Sequence, residues 1–237
     1  MPPAEPIPIE GPTVFFTGAG ISVGAGLPTY RGTGGIYEDS DLQPPHARDL
    51  VPDRLPGLWA RFGDRLRAAG SIAPSAAHRR IGELEGLHQA PITVVTQNVD
   101  GLHARAGSSR VIELHGTLLT MRCLRAGHRV AVADATWVDG LPICATCGEP
   151  CRPDVVLFGE ALPQDVWEAA ETAIGQARTI VAVGTSAQVY PAALLIQSRA
   201  GLAQRRIWVN PEAEPPDADW TWLQGGADEQ VARLVPA

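Results

Sequence analysis

The sequence lacks any long hydrophobic run. Its longest apolar segments, such as residues 180–183 (IVAV), fall far short of the about 20 apolar residues that a membrane-spanning helix needs. The opening residues, MPPAEPIPIE, contain neither the basic nor the apolar stretch of a secretory signal. Apolar residues still make up 45% of the chain, which is enough for a substantial core. These features predict a globular protein without membrane segments.

Cysteine is also scarce, and basic residues are fewer than acidic residues. Of the four cysteines, three lie between positions 144 and 151, which is unlike the framework of a secreted disulfide protein. This distribution favours a reducing, cytoplasmic compartment. The formal net charge of −7 argues against a broad nucleic-acid-binding face, so no direct nucleic-acid partner is expected. It is compatible with binding of a basic substrate segment.

Short apolar runs alternate with helical stretches along most of the chain. The runs are typical of buried parallel strands, and Pro74, Ser75 and Pro163 are helix start signals. The alternation predicts an α/β fold with a doubly wound, Rossmann-like parallel sheet. The predicted strands are residues 13–17, 92–96, 179–183 and 206–209, and the predicted helices are 75–87 and 164–177, with a further helical patch at 58–69.

Two stretches interrupt this alternation. Residues 28–72 are rich in Pro, Gly and Arg, and residues 120–152 contain all four cysteines. We interpret both as insertions that form a smaller lobe, made of a helical segment and a zinc-ribbon-like module. The predicted division is a Rossmann-like domain (11–30, 73–119 and 153–235) and a small domain (31–72 and 120–152).

Small and polar residues follow the predicted strands. Directly after VFF, the turn Gly18-Ala19-Gly20 would let backbone N–H groups approach a pyrophosphate. The spacing is not the full dinucleotide fingerprint, and no acidic residue ends a second strand, which disfavours a hydride-transferring dehydrogenase. Gly184-Thr185-Ser186 and Asn210 follow two other strands. Since the carboxyl ends of parallel strands line one crevice, these residues predict a nucleotide site there.

Candidate chemical groups follow two further strands. Gln97, Asn98 and Asp100 come after ITVVT, and His115 comes after VIEL. A histidine titrates near neutrality and can therefore act as a general base. On the residues alone, a catalytic and a structural role for His115 are equally open.

Seven motifs in series resemble those of the sirtuin (Sir2-like) family of bacterial type. They are GAGIS (18–22), GLPTYRG (26–32), TQNVDGLH (96–103), ELHGT (113–117), CRPDVVLFGE (151–160), VGTSAQVYPAA (183–193) and VNPE (209–212). The resemblance covers residues 11–227. It implies a Rossmann-like NAD domain, a zinc-bearing small domain, and NAD-dependent removal of acyl groups from lysines of other proteins. Nicotinamide and an O-acyl-ADP-ribose would be released.

The resemblance also implies roles for individual residues. His115 would deprotonate a ribose hydroxyl, Asn98 would orient ribose and water, and Asp100 would hold the carboxamide of NAD. The implied NAD contacts are Gly18, Ala19, Gly20, Ser22, Thr29, Tyr30, Arg31, Gln97, Asn98, Asp100, Gly184, Thr185, Ser186, Asn210 and Ala227. The implied substrate contacts are Phe158, Gly159, Glu160, Val189 and Tyr190, which would bracket the peptide like adjacent strands.

The small lobe bears on which acyl group is removed. Sirtuins that remove succinyl or malonyl groups carry a Tyr-x-x-Arg pair there, whose phenol and cation bind the acyl carboxylate. The corresponding register here has Trp59 and Phe62 instead, although Arg61 and Arg65 would supply a cation if the register shifted. We therefore predict a hydrophobic tunnel, lined by Trp59 and Phe62, for acetyl, propionyl, butyryl or crotonyl groups.

The resemblance further implies one structural zinc ion. Cys144 and Cys147 form a knuckle, and Cys123 lies where a first ligand pair would begin, but position 126 is Ala. Two residues are candidates for the fourth tetrahedral ligand. Cys151 is favoured because it uses the fourth thiol, and His128 is the alternative. A closed shell of four protein ligands would exclude a catalytic role for the metal.

Two other functions use the same residues. An NAD-dependent protein ADP-ribosyltransferase shares the cleavage of NAD but needs no acyl-lysine tunnel. A non-catalytic adaptor that binds NAD and zinc would tolerate the loss of Asn98, Asp100 and His115, yet all three are present. The FGE and VYP segments favour deacylation over ADP-ribosyl transfer.

Overall fold

A parallel sheet of six strands forms the centre of the larger part of the protein. The computed structural model describes residues 5–30, 35–37, 43–199 and 203–237. In the sheet the strand order is β12-β11-β10-β2-β3-β4, and all neighbours are parallel. The strands are β1 (Ile7–Ile9), β2 (Thr13–Thr17), β3 (Ile92–Thr96), β4 (Val111–Glu113), β5 (Gly116–Cys123), β6 (Arg129–Ala131), β7 (Thr136–Val138), β8 (Leu141–Ile143), β9 (Cys151–Val155), β10 (Thr179–Val183), β11 (Arg205–Val209), β12 (Thr221–Leu223) and β13 (Leu234–Pro236). The predicted parallel sheet is confirmed.

Helices pack on both faces of this sheet and, in the case of Leu55–Ala69, against the small lobe. They are α1 (Leu55–Ala69), α2 (Ala76–Leu87), α3 (Leu102–Arg105), α4 (Gln164–Gln176) and α5 (Ala227–Val231), with 3₁₀ turns at Ala19–Ala25, Ala47–Asp49, Pro52–Arg54 and Val132–Asp134 and a π-helical turn at Leu195–Arg199. Ser75 caps α2, because its hydroxyl accepts from the His78 N–H. None of the described helices is long and apolar enough to cross a membrane.

The sheet is doubly wound, with helices packed on both of its faces. Successive residues of each strand point to opposite faces, so both faces are apolar. Phe16 of β2 packs with Ile174 of α4 in one core cluster. Its neighbour Phe15 packs with Ile81 of α2 in the other cluster. All four side chains are at most 1% exposed. Two apolar layers therefore hold the strands in place, and the carboxyl ends of the strands are free to carry the site.

The small lobe has a core of its own. β5 pairs with β6 and β9 in an antiparallel sheet, and α1 packs against it. Trp59 of α1 donates its ring N–H to the Cys151 carbonyl at 2.9 Å. β5 begins at Gly116 and β9 ends at Val155, so this sheet crosses the predicted boundaries at 119/120 and 152/153. The division into domains at those positions stays a prediction.

Candidate functional site

Two glycine turns meet at the carboxyl ends of β2 and β10. The Gly20 N–H donates to the Gly184 carbonyl at 2.9 Å. A Cβ atom on Gly20 would lie 2.6 Å from the Gly184 Cα, and Gly184 itself has a φ of +61°. Only glycine permits this approach and this backbone conformation. The predicted turn Gly18-Ala19-Gly20 thus lies directly beside the predicted Gly184-Thr185 turn.

A polar cluster follows β2 and β3. The Asn98 amide donates to the Gly18 carbonyl and to the Ser22 hydroxyl, both at 3.1 Å. Ser22 donates in turn to Asp100 Oδ2 at 2.7 Å, while Asp100 Oδ1 accepts from the Leu102 N–H at 3.0 Å. The structure therefore brings Ser22, Asn98 and Asp100 together, as the motif series implies. Both donors of the Asn98 amide are engaged, which leaves its oxygen available to a ligand.

The imidazole of His115 is held in one tautomer. Its Nδ1 lies 2.9 Å from the Gln97 carbonyl. A carbonyl can only accept, so Nδ1 carries the proton and Nε2 bears the lone pair. Burial lowers the pKa of His115 below its ordinary 6.5, which keeps the ring neutral at pH 7. Nε2 makes no hydrogen bond to any described residue, so it is suited to accept a proton.

Thr185 and Asn210 organise the far end of the crevice. The Thr185 hydroxyl accepts from the Gln97 amide at 3.0 Å. Asn210 donates to the Thr185 carbonyl at 2.9 Å, and its side-chain oxygen accepts from two backbone N–H groups, those of Glu212 and Ala213. The Asn210 amide therefore holds two loops together, and its contact with NAD stays a prediction. Ser186 is exposed beside Thr185.

Four predicted NAD contacts remain, namely Thr29, Tyr30, Arg31 and Ala227. Ala227 begins α5 and packs against the core beneath the sheet. The ring of Tyr30 stacks on Phe158 at a centroid distance of 6.2 Å, which places residues 29 and 30 near the predicted substrate segment. Arg31 lies outside the described residues. Its contact with NAD is a prediction.

The FGE segment, residues 158–160, is fixed by contacts within the chain. Phe158 donates to the Pro45 carbonyl and accepts from the Ala47 N–H, so its backbone is already paired within the chain. Gly159 has a φ of +84° inside a turn that Glu160 closes by donating to Leu157. The Glu160 carboxylate is bound by Arg152 at 2.6 and 2.7 Å. Phe158 and Glu160 thus shape this edge. A strand-like contact of the segment with a peptide stays a prediction, and it would use backbone groups other than the Phe158 N–H.

Trp59 and Phe62 belong to the core of the small lobe and are 2% and 6% exposed. Whether they shorten an acyl tunnel or cap it stays a prediction. Arg61 is held on the outside by Asp49 at 3.3 Å, and the side chain of Arg65 lies outside the described part of the chain.

A pair of buried histidines behind the polar cluster was missed by the sequence analysis. His103 Nε2 lies 2.9 Å from the Thr17 hydroxyl, which itself donates to Thr96, so His103 Nε2 carries the proton. The rings of His78 and His103 are 4.6 Å apart. Burial lowers the pKa of both, that of His103 to about 3, so both stay neutral. The motif TQNVDGLH contains His103, but nothing in the letters indicates that it is buried.

Glu113, two residues before His115, predicts a pH-dependent stability. Burial raises its pKa from 4.5 to about 7. Folding thus favours the protonated form, and this contribution is complete below about pH 4.5 and lost as the pH rises through 7. Glu113→Gln should raise the melting temperature at pH 8 by about 2–4 °C, the equivalent of about 1 kcal/mol for this chain length. At pH 5 the variant and the wild type should melt alike. A variant that melts no higher than the wild type at pH 8 would contradict the assignment.

Four potential ligand atoms of the small lobe form a compact group. Those of Cys123, His128, Cys144 and Cys147 all lie within 4.8 Å of one another. The Cys123 and Cys147 sulfurs are 3.4 Å apart, and Cys144 Sγ is 3.5 Å from His128 Nδ1. A tetrahedral zinc with Zn–S of about 2.3 Å and Zn–N of about 2.05 Å requires edges of about 3.8 and 3.6 Å. This donor set therefore fits one structural zinc ion.

The same group corrects the preferred fourth ligand. The group contains His128 as its fourth member, whereas the sequence favours Cys151 as the fourth ligand. Cys151 is fully buried, pairs with Cys123 across β5 and β9, and belongs to the apolar core around Trp59. His128 was the alternative because the spacing from Cys123 permits it.

Comparisons with known proteins agree with this arrangement. The Sir2 family profile matches residues 18–191. An "NAD-dependent protein deacylase 2" from Pyrobaculum aerophilum is 42% identical over 227 residues, which cover 94% of this chain and 89% of that protein. An "NAD-dependent protein deacylase" from Thermus thermophilus is 41% identical over 229 residues, which cover 93% of this chain and 88% of that protein.

Solved structures of Sir2 proteins are similar over the same extent. A complex of a Sir2 homologue with NAD has a TM-score of 0.79 and 36% identity, and the match covers 92% of this chain and 86% of the other. A complex of Sir2 with a deacetylated p53 peptide and 3′-O-acetyl-ADP-ribose has a TM-score of 0.81 and 31% identity, covering 93% and 91%. With the family profile matched over most of its length and relatives this similar from end to end, the chain belongs to the Sir2 family.

Proposed function

We propose that this protein removes acyl groups from lysine side chains of other proteins and consumes NAD as a co-substrate. The observation that carries the proposal is the geometry around His115. Its Nε2 bears the lone pair, and Gln97, which fixes that tautomer, is adjacent in sequence to Asn98 of the polar cluster. An adaptor that only bound NAD would not need a neutral, oriented imidazole at this place. Family membership and the names of the relatives point to the same chemistry.

The residues of the crevice would have different roles, according to where they lie. The Gly18–Gly20 turn would let the pyrophosphate approach the chain closely, because two of its residues have no side chain. The Gly18 and Gly20 N–H groups already donate to the Val183 and Gly184 carbonyls, so the Ala19 N–H would be the donor of this turn to the pyrophosphate. Asn98 and Asp100 would orient the nicotinamide and ribose end. When bound, NAD supplies the ribose carbon to which the acyl oxygen is transferred. His115 would accept a ribose hydroxyl proton at Nε2, and the Gln97 carbonyl would stabilise the resulting imidazolium at Nδ1.

The products of one incubation test this function. With NAD and an acetyl-lysine peptide, the peptide should lose the mass of the acetyl group while nicotinamide and an O-acetyl-ADP-ribose appear. A peptide or protein that instead gains the mass of ADP-ribose would favour the transferase. The chain contains no lysine, so every lysine product in the reaction comes from the added substrate. If NAD stays intact in the presence of the peptide, the proposal fails.

The acyl group removed should be uncharged. Trp59 and Phe62 stand at the positions of the Tyr-x-x-Arg pair and supply neither a phenol nor a guanidinium, and the Arg61 guanidinium binds Asp49 and the Gln43 carbonyl. A carboxylate entering an apolar tunnel without a partner carries a large desolvation cost. With equal peptide backbones, kcat/KM for acetyl- or crotonyl-lysine should exceed that for succinyl-lysine at least about tenfold. Equal or faster desuccinylation would show that a cation reaches the tunnel.

A further inference from the structure

Gln197 supports the loop that follows β10 at two points, the predicted substrate contact Tyr190 and Ala187 beside the predicted NAD contact Thr185. Its side chain uses both ends of its amide. The oxygen accepts from the Tyr190 hydroxyl at 2.8 Å, and the nitrogen donates to the Ala187 carbonyl at 3.1 Å. Gln197 lies in the π-helical turn Leu195–Arg199. Such turns widen a helix locally and are frequent at functional sites.

The loop that Gln197 holds is strained. Ala187 is a buried, non-glycine residue with a φ of +50°. A residue in this left-handed region persists only where its surroundings hold it. Two hydrogen bonds do so here: the Ala187 N–H donates to the Thr185 hydroxyl at 3.1 Å, and the Ala187 carbonyl accepts from Gln197. Removing the Gln197 amide leaves that carbonyl without its partner.

The bonds continue from this loop to the base. The Thr185 hydroxyl also accepts from the Gln97 amide at 3.0 Å, and the Gln97 carbonyl accepts from His115 Nδ1 at 2.9 Å. A continuous series of hydrogen bonds therefore runs from Tyr190 through Gln197, Ala187, Thr185 and Gln97 to His115. It joins one predicted substrate contact to the predicted NAD contacts and the base.

We propose that Gln197 is a positioning residue that makes binding of the acyl peptide and binding at the adenosine end of NAD favour each other. Tyr190 is 60% exposed, so its bond to Gln197 competes with water in the free protein. A peptide lying over Tyr190 excludes that water and strengthens the bond. Gln197 then holds the Ala187 turn, and with it Thr185, in the arrangement that receives the nucleotide. By linkage, the nucleotide strengthens peptide binding by the same factor.

This inference rests on the proposed function for the identity of the peptide, and binding measurements test it separately from turnover. The affinity for an acetyl-lysine peptide is measured with and without saturating ADP-ribose. The wild type should bind the peptide at least about fivefold more tightly with ADP-ribose present. Gln197→Ala and Tyr190→Phe should each reduce this gain about threefold to tenfold, the factor of one hydrogen bond. Since both remove the same connection, the double variant should be no worse than either single variant.

Two further variants separate the connection from general damage. Gln197→Glu keeps an acceptor for Tyr190 but puts a carboxylate against the Ala187 carbonyl, so it should lose the gain as Gln197→Ala does. Gln176→Ala removes another exposed glutamine, at the end of α4 just before β10 begins, and should leave the gain intact. All variants should melt within about 2 °C of the wild type, as expected for exposed positions.

The outcomes distinguish this proposal from the function on which it rests. A wild type without any gain, or Gln197 and Tyr190 variants that keep it, would overturn the connection even if deacylation is fast. If the wild type removes no acyl group, hydrogen exchange with ADP-ribose alone still decides: Gln197→Ala should speed exchange of the Ala187 amide. Unchanged exchange there would overturn the proposal.

Discussion

Replacing His115 with Ala or Tyr should lower kcat/KM for deacylation by at least about 100-fold, the contribution of a general base. The Gln97 carbonyl accepts from His115 Nδ1 and so keeps the proton there, which leaves the lone pair of Nε2 available. ADP-ribose affinity should change little. The hydrogen bonds that hold Asn98 to Gly18 and Asn210 to Thr185 at the predicted NAD contacts do not involve the His115 ring. Steady-state kinetics and calorimetric titration with ADP-ribose measure the two effects.

The pH profile offers a second measure of the same residue. Because burial lowers the pKa of His115, the base stays neutral down to below pH 6.5. Deacylation should therefore be flat between pH 7 and 8 and fall only below about pH 6.5, as the ring becomes protonated. Near-normal turnover by the His115→Ala variant would remove this residue from the mechanism.

His88→Ala is the matched control for His115. His88 caps the end of α2, and its Nε2 is 2.8 Å from the Gly11 carbonyl at the amino edge of the sheet, opposite the crevice. Its loss should cost a little stability, because the half-buried Gly11 carbonyl keeps only the Thr13 hydroxyl as a partner, but leave kcat/KM within about twofold. An equal loss of activity in both variants would point to general unfolding.

Much of the central fold could be predicted from the sequence because its strands are buried on both faces. β2, β3 and β10 begin and end at the predicted residues, since each is a continuous apolar run bounded by turns. The pairs formed by β1 with β13 and by β12 with β11 were not predicted. Strands β1, β12 and β13 contain only three residues each, and a segment that short shows no hydrophobic periodicity.

The site was predictable where its residues follow strands and not where contacts decide. Ser22, Asn98 and Asp100 could be grouped because parallel strands end at one edge. Which partner engages Phe158 and what surrounds Trp59 depend on the folding of the chain back on itself. Sequence spacing does not contain that information, because Pro45 and Phe158, and Trp59 and Cys151, are about 100 residues apart in the chain. The contacts of Gln197 are closer in sequence, but they depend on the turn at Ala187, which the residue types do not indicate.

Removal of one zinc ligand should have a large effect on the zinc content and the stability of the small lobe. Cys144→Ala should release the metal and destabilise the small lobe, because zinc affinity and folding of such a module are coupled. The sulfur of Cys144 lies between His128 and the core around α1, so the apo lobe also loses packing beside Trp59. Purified wild type should contain one zinc per chain by metal analysis. A content well below one would contradict the structural site.

His128→Ala and Cys151→Ala then identify the fourth ligand. His128 Nδ1 is in the group whose atoms lie within 4.8 Å, and the His128 side chain is exposed, so its truncation removes a ligand but little packing. We expect that variant to bind zinc at least about 100-fold more weakly. Cys151→Ala should keep one zinc per chain and lower the melting temperature, because it leaves a small cavity in the core. The reverse result, with zinc lost from Cys151→Ala and kept by His128→Ala, would assign the fourth position to the thiol. Chelator titrations of both variants, followed by melting curves, separate loss of metal from loss of packing.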